Sequence, residues 1–179
     1  LIRDAGGDPL SRDKQGNTPF SIVLNKNIDI IKEVLGTKYT ITDSDGNTPV
    51  HIVVRNKMSG NLLRFLISTG YPIDTRNSSG YTPLSYAIEM NDVKTAEILL
   101  EHGANPFQMI DRKGKNGVSI ALEQEDKNMI ANIVKYAGSM TDVKGNTILH
   151  YAAKTCSESM VRNLISYGID KTVSNISGD

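Results

Sequence analysis

Between positions 77 and 105 the chain alternates polar punctuation with two short apolar stripes, in the order N-S-S-G-Y-T-P-L-S-Y-A-I-E-M-N-D-V-K-T-A-E-I-L-L-E-H-G-A-N. Leu84, Ala87 and Ile88 fall at i, i+3 and i+4, and Ala96, Leu99 and Leu100 repeat that spacing. This is the period of an amphipathic helix, read twice. Thr82 predicts an N-cap and Pro83 the first helical residue, where a missing N–H costs nothing. Asn91 and Asp92 interrupt the stripe and offer a second cap, and Gly103 supplies the left-handed residue that closes many helices. Each predicted helix runs only two to three turns, too short to stand alone in water. Both apolar faces therefore need neighbours.

Repetition supplies them. The same punctuation recurs around Gly16, Gly46, Gly80, Gly114, Gly145 and Gly178, spaced 30, 34, 34, 31 and 33 residues apart. Thr-Pro follows at Thr18-Pro19, Thr48-Pro49 and Thr82-Pro83, with His51 and His150 in T-P-V-H and T-I-L-H. A period near 33 with a T-P-x-H start and an L-L-x-x-G-A end resembles the ankyrin repeat family, and the resemblance covers the whole chain. It implies an all-α solenoid of stacked helix-turn-helix units joined by β-hairpin-like loops, with each unit touching only its neighbours.

Taken in order, residues 1–12 resemble the tail of a preceding repeat, 13–42, 43–76, 77–110, 111–141 and 142–174 are five repeats, and 175–179 resemble the start of another. One ankyrin domain, cut from a longer array, is the expectation. The first repeat, with G-T-K-Y after Leu35, predicts an early helix end and an altered loop. An extra residue between Asn56 and Gly60 predicts a bulged connection in the second. In the fourth repeat Asn116-Gly117 stands where Thr-Pro is expected, predicting a weaker cap and the least local stability.

Composition narrows the function. The 20 basic and 20 acidic residues cancel, so bulk charge selects neither nucleic acid nor an anionic membrane. No apolar run reaches the roughly 20 residues that span a bilayer. The single Cys156 excludes an internal disulfide and points to a reducing, intracellular setting.

Candidate chemistry is sparse. His51 and His150 occupy the same place in two repeats, and the resemblance implies a structural hydrogen-bonding role. Packed helices about 8–10 Å apart put them roughly 30 Å from each other, too far to share a metal at about 2 Å. His102 near a helix end needs only the favourable dipole there. R-K-G-K-N-G, residues 112–117, lacks the G-x-x-x-x-G-K-S/T order of a phosphate loop. Cys156 has no basic cluster implied beside it. Asn77-Ser78-Ser79 and Asn175-Ile176-Ser177 match the glycosylation pattern, but a glycan on a hairpin would obstruct stacking. No catalytic residue, metal site or cofactor is predicted, and a hydrolase-like grouping is absent.

A surface remains. The resemblance implies a concave groove, lined by hairpin tips and the ends of first helices, that grips a protein partner. Carried over by position, the tips include Lys14, Gln15, Asn17, Ser44, Asp45, Asn47, Ser78, Ser79, Tyr81, Arg112, Lys113, Lys115, Val143, Lys144 and Asn146. The helix ends include Arg55, Glu89, Met90, Glu123 and Lys154. Tyr81 and Met90 are the expected anchor. Arg112, Lys113, Lys115, Lys144 and Lys154, partly offset by Glu89 and Glu123, predict an acidic or phosphorylated patch on the partner. The expected function is protein binding by a monomeric module that is not an enzyme. The alternative is a regulatory or targeting array of a larger enzyme or channel.

Overall fold

The computed structural model describes residues 7–15, 17–24, 28–35, 41–108, 110, 114–155 and 158–179. Ten helices occupy the described residues: α1 Pro19–Val23, α2 Ile28–Leu35, α3 Pro49–Arg55, α4 Gly60–Ser68, α5 Pro83–Glu89, α6 Val93–Glu101, α7 Gly117–Gln124, α8 Lys127–Ala137, α9 Ile148–Thr155 and α10 Glu158–Ser166. No strand occurs among them. The loops expected to resemble β-hairpins are tight turns, described below.

Local chemistry explains the starts. Thr18 and Thr48 each cap a helix through the N–H of the third residue, Ser21 and His51, while that residue's side chain faces the cap N–H. Pro19 and Pro49 stand at the first helical position as expected. Asp92 caps α6 by accepting from Thr95 N at 3.2 Å.

The ends follow a second rule. Lys57, Asn91 and Glu125 sit at φ of 49°, 51° and 53°, each ending a first helix in the left-handed conformation. Met58 N donates back to Val53 O at 3.1 Å, and Asp92 N to Ala87 O at 2.9 Å. These six-to-one bonds satisfy carbonyls that the helix end leaves open. Gly103, at φ 86°, closes α6 in the same way, with Ala104 N reaching Leu99 O at 3.0 Å.

Contacts divide the chain into two compact units, Leu1–Pro83 and Leu84–Asp179. In the first, α1 packs on α2 and α3 on α4, burying Phe20, Ile31, Val50, Leu63 and Leu66. In the second, α6 packs on α8, α7 on both α8 and α9, and α9 on α10. First helices meet first helices and second helices meet second helices. Leu99, Leu122, Met129, Ile133 and Leu164 fill that core.

The fourth repeat corrects an expectation. Asn116 is a full N-cap: its Oδ1 accepts from Ser119 N at 2.9 Å, and Ser119 Oγ accepts from Asn116 N at 3.0 Å. Asparagine ranks with serine as a cap, so replacing threonine weakens nothing here. Gly117 stands in close approach: a Cβ there would lie 2.8 Å from Ile88 Cδ1, the far end of a side chain, and 3.0 Å from Pro106 O. The loop after Leu35 lies outside the described residues.

Candidate functional site

The turns between repeats are built by one carboxylate or carboxamide. In the first unit Asp43 Oδ1 accepts from Asp45 N at 2.9 Å and Asn47 N at 2.8 Å, while Asp43 N donates to Asn47 O at 3.0 Å. Asp13 acts alike, accepting from Gln15 N at 2.9 Å and Asn17 N at 2.8 Å. Asn77 does the same for Ser79 and Tyr81, at 3.0 Å each. In the second unit Asp142 holds Lys144 and Asn146, at 2.8 and 2.9 Å. Asn175 holds Ser177 and Asp179, at 2.9 and 3.1 Å. These are Asx turns, in which a short side chain imitates a backbone turn.

Successive turns are then joined. Ser78 N donates to Asp45 O at 2.9 Å, and Ile176 N to Lys144 O at 3.0 Å. Asn47 is fully buried, so its expected place among partner contacts is corrected: its amide is spent on Asp43, at 3.1 Å, and its Oδ1 on Asn77. Arg12 completes the first unit's chain, bonding Asp43 at 3.0 Å and Asp45 at 2.7 Å. Burial alone would raise the Asp43 pKa, but donation by the Asn47 side chain and N–H, by Arg12 and by Asp45 N holds it below the ordinary carboxylate value.

His51 is structural in geometry. Its Nδ1 lies 3.1 Å from Thr48 N, which can only donate, so the ring proton sits on Nε2 and is given to Tyr81 O at 3.0 Å. The ring is completely buried, and desolvation lowers its pKa below 6.5. His150 repeats the pattern with Thr147 N at 3.1 Å and Asp179 O at 3.1 Å. His102 Nδ1 lies 2.7 Å from Ile98 O at the end of α6. Among the described residues no group of His, Cys, Asp and Glu could hold a metal.

The second unit carries an open cleft of about 650 Å³, lined among others by Asp142, Val143, Lys144, His150, Tyr151, Ala153 and Lys154. Lys144 and Lys154, both expected partner contacts, therefore share one depression and are exposed. Tyr151 forms part of its wall. The Tyr151 hydroxyl donates to Asp142 Oδ2 at 2.9 Å and accepts from Asn116 Nδ2 at 2.8 Å, and its ring lies 5.9 Å from that of Phe107. Burial and the adjacent Asp142 charge push its pKa up to about 12.

The other expected contacts distribute as follows. Arg55 is exposed and Tyr81 half-buried in the first unit. Glu89 and Glu123 are exposed and Met90 is half-buried in the second. Lys115 reaches Glu89 at 3.9 Å, so its charge is partly matched within the chain. Arg112, Lys113 and Cys156 lie outside the described residues.

A family model described as ankyrin repeats (3 copies) matches residues 20–110 and 105–175. The chain belongs to the ankyrin-repeat family. Among curated ankyrin-repeat relatives, it is 27% identical over 170 residues to Rabankyrin-5 of Mus musculus, covering 90% of this chain and 14% of that protein. It is 33% identical over 148 residues to the phosphocholine transferase AnkX of Legionella pneumophila, covering 79% of this chain and 14% of that protein. The chain thus spans about a seventh of the length of these two relatives. The crystal structure of the ankyrin repeat domain of Bcl-3 superposes with a TM-score of 0.71 at 22% identity, covering 100% of this chain and 82% of that one. This likeness establishes the ankyrin fold. No helix among the described residues is long and apolar enough to cross a membrane.

The recurring Asp or Asn that folds the described turns was missed in the sequence. A signal existed, because Asp13, Asp43, Asn77 and Asp142 each stand three residues before a marker glycine.

Proposed function

We propose that this ankyrin-repeat chain is a protein-binding module that performs no chemistry itself and works as a monomer. A partner docks on the exposed turn tips and first-helix ends of its five repeats, bounded as 13–42, 43–76, 77–110, 111–141 and 142–174. Contacts come from Arg55 and Tyr81 in the first unit and from Glu89, Met90, Lys115, Glu123, Lys144 and Lys154 in the second. The observation that carries this reading is the ankyrin-repeat match over residues 20–110 and 105–175, with Lys144 and Lys154 exposed among the outward side chains. The turn-forming carboxylates and amides are consumed internally, so recognition falls to the exposed side chains around them.

A second reading is favoured by the relatives. The chain matches only 14% of a protein whose name is phosphocholine transferase, so the module can serve as the regulatory or targeting array of a larger enzyme. In both readings it holds a protein.

Site-specific photo-crosslinking tests the proposal. A benzophenone side chain placed at Lys144 is expected to trap a discrete protein from native lysate, whereas one at Arg162, exposed on α10, is expected not to. Equal labelling from both positions, or from neither, would overturn it.

A further inference from the structure

One peptide step sets the fourth repeat apart chemically. The first, second and third repeats open their first helices with Thr-Pro and the fifth with Thr-Ile, whereas the fourth has Asn116-Gly117, and no other Asn is followed by Gly in the 179 residues. The difference bears on covalent stability. Threonine carries no carboxamide, and proline has no N–H to lose. An Asn before a Gly holds both the electrophile and the nucleophile of a ring closure, with no Cβ on the glycine to hinder it.

The folded chain keeps the two apart. Asn116 is completely buried within the second compact unit. Its Oδ1 accepts from Ser119 N at 2.9 Å, and its Nδ2 donates to the Tyr151 hydroxyl at 2.8 Å. Its own N donates to Ser119 Oγ at 3.0 Å, and its O accepts from Ile120 N at 3.1 Å. Closure of a succinimide needs Cβ and the Gly117 nitrogen nearly eclipsed about the Cα–C bond of Asn116. At its ψ of 178° they stand staggered. The carboxamide cannot turn toward Gly117 without giving up the α7 cap and the bond to Tyr151.

The same bonds make the product unfavourable. The Tyr151 hydroxyl has one proton, which it donates to Asp142 Oδ2 at 2.9 Å while accepting from Asn116. A carboxylate in place of the Asn116 amide sets two acids around that one hydroxyl. Like charges so close repel each other. Asp142 also forms the next turn, through Lys144 N and Asn146 N, so the repulsion falls on the joint between the fourth and fifth repeats.

We propose that Asn116-Gly117 is a spontaneous deamidation site kept shut by the closed fourth repeat, and that its conversion loosens the fourth repeat from the fifth. On local opening, the deprotonated Gly117 nitrogen attacks Asn116 Cγ; the new N–C bond closes the ring as the Cγ–Nδ2 bond breaks and Nδ2 leaves as ammonia. Water then opens the ring at either carbonyl, giving Asp or isoaspartate. Isoaspartate also lengthens the main chain at the cap of α7. One water is consumed, one ammonia is released and no enzyme is needed, so the array keeps a record of how often its fourth repeat has opened.

Peptide mass mapping of the 179-residue chain, held at mildly alkaline pH, tests this. In strong urea Asn116 is expected to convert fastest of all the asparagines; in native buffer it is expected to persist, at a rate that climbs as subdenaturing urea is added. Y151F, which removes the partner of Nδ2, is expected to speed native conversion at least about fivefold. N116D reproduces the product and is expected to lower the urea midpoint. It should do so less in the background of D142N, since Asn77 and Asn175 show that asparagine forms the same turn. Native conversion as fast as in strong urea, another asparagine overtaking Asn116 there, or indifference to both added urea and Y151F would overturn the protected site. An equal effect of N116D with and without D142N would overturn the loosened joint.

Discussion

The side-chain amide of Asn77 donates to Asn47 Oδ1 at 2.8 Å, across thirty residues of sequence. Both groups are buried, and each also holds its own turn: Asn77 Oδ1 takes two N–H groups, while Asn47 Nδ2 goes to Asp43. Each asparagine thus holds its own turn and its neighbour's, and with the bond from Ser78 N to Asp45 O this couples the two turns of the first unit.

That coupling predicts the effect of N77D. The carboxylate keeps the bonds from Ser79 and Tyr81 but sets an acceptor against Asn47 Oδ1, where a donor stood. A loss of about 1–3 kcal/mol is expected at neutral pH, read from urea unfolding. An unchanged midpoint and slope would show that the bond carries no net weight.

Gly117 is held by close approach, not by turn chemistry. G117A places its methyl carbon 2.8 Å from Ile88 Cδ1 and 3.0 Å from Pro106 O, and the second contact is backbone. The expected cost is about 1–3 kcal/mol despite the better helix propensity of alanine, measured by thermal or urea unfolding. G117P, which would restore the familiar Thr-Pro-like start, carries the same carbon and should fail similarly.

His51 sets a pH dependence. Its folded pKa lies below the unfolded value of 6.5 because of burial, so between those two values the unfolded chain binds the extra proton. Stability therefore falls as pH drops through 6.5 and stops falling from this source below the folded pKa. Asp43 and Asp142, both lowered, contribute stability that is lost only at more acid pH, below about 3.8. H51Q should remove the slope below neutrality while lowering stability overall, and urea unfolding across a pH series checks both.

Tyr151 joins the cap of α7 to the turn of Asp142 through one hydroxyl. Y151F strands the Asn116 amide and removes a donor from Asp142, which should cost about 1–3 kcal/mol and raise the Asp142 pKa toward 3.8. The ultraviolet titration of tyrosinate should also lose a component near pH 12, the value to which Tyr151 is pushed. Retention of that component in the variant would assign it to another tyrosine.

The helices were legible because their signals are local. Thr18-Pro19, Thr48-Pro49 and Asp92 act within three residues of themselves, and Gly103 answers to its own backbone angle. Two features were hidden for different reasons. Asn116 looked like a defective threonine, although an asparagine cap works by the same acceptor chemistry. Asn47 looked like a surface residue because a polar side chain at a turn does not declare which way it faces; its burial depends on Asn77, a full repeat away. Of the expected partner surface, Lys144 and Lys154 line one cleft, whereas the pairing of Lys115 with Glu89 depends on how their turn and helix end meet.

Four of the bonds between neighbouring turns point back toward the preceding repeat, opposite to the forward donations of Arg12 and His51. Asn77 gives to Asn47, Asn175 gives to Asn146 at 2.8 Å, and the backbone N–H groups of Ser78 and Ile176 point back to Asp45 and Lys144. Each such repeat has a donating side and an accepting side, like a stud and its socket. Repeats can be exchanged between arrays only when the incoming unit brings the stud its predecessor's socket requires, whatever residues it displays to a partner.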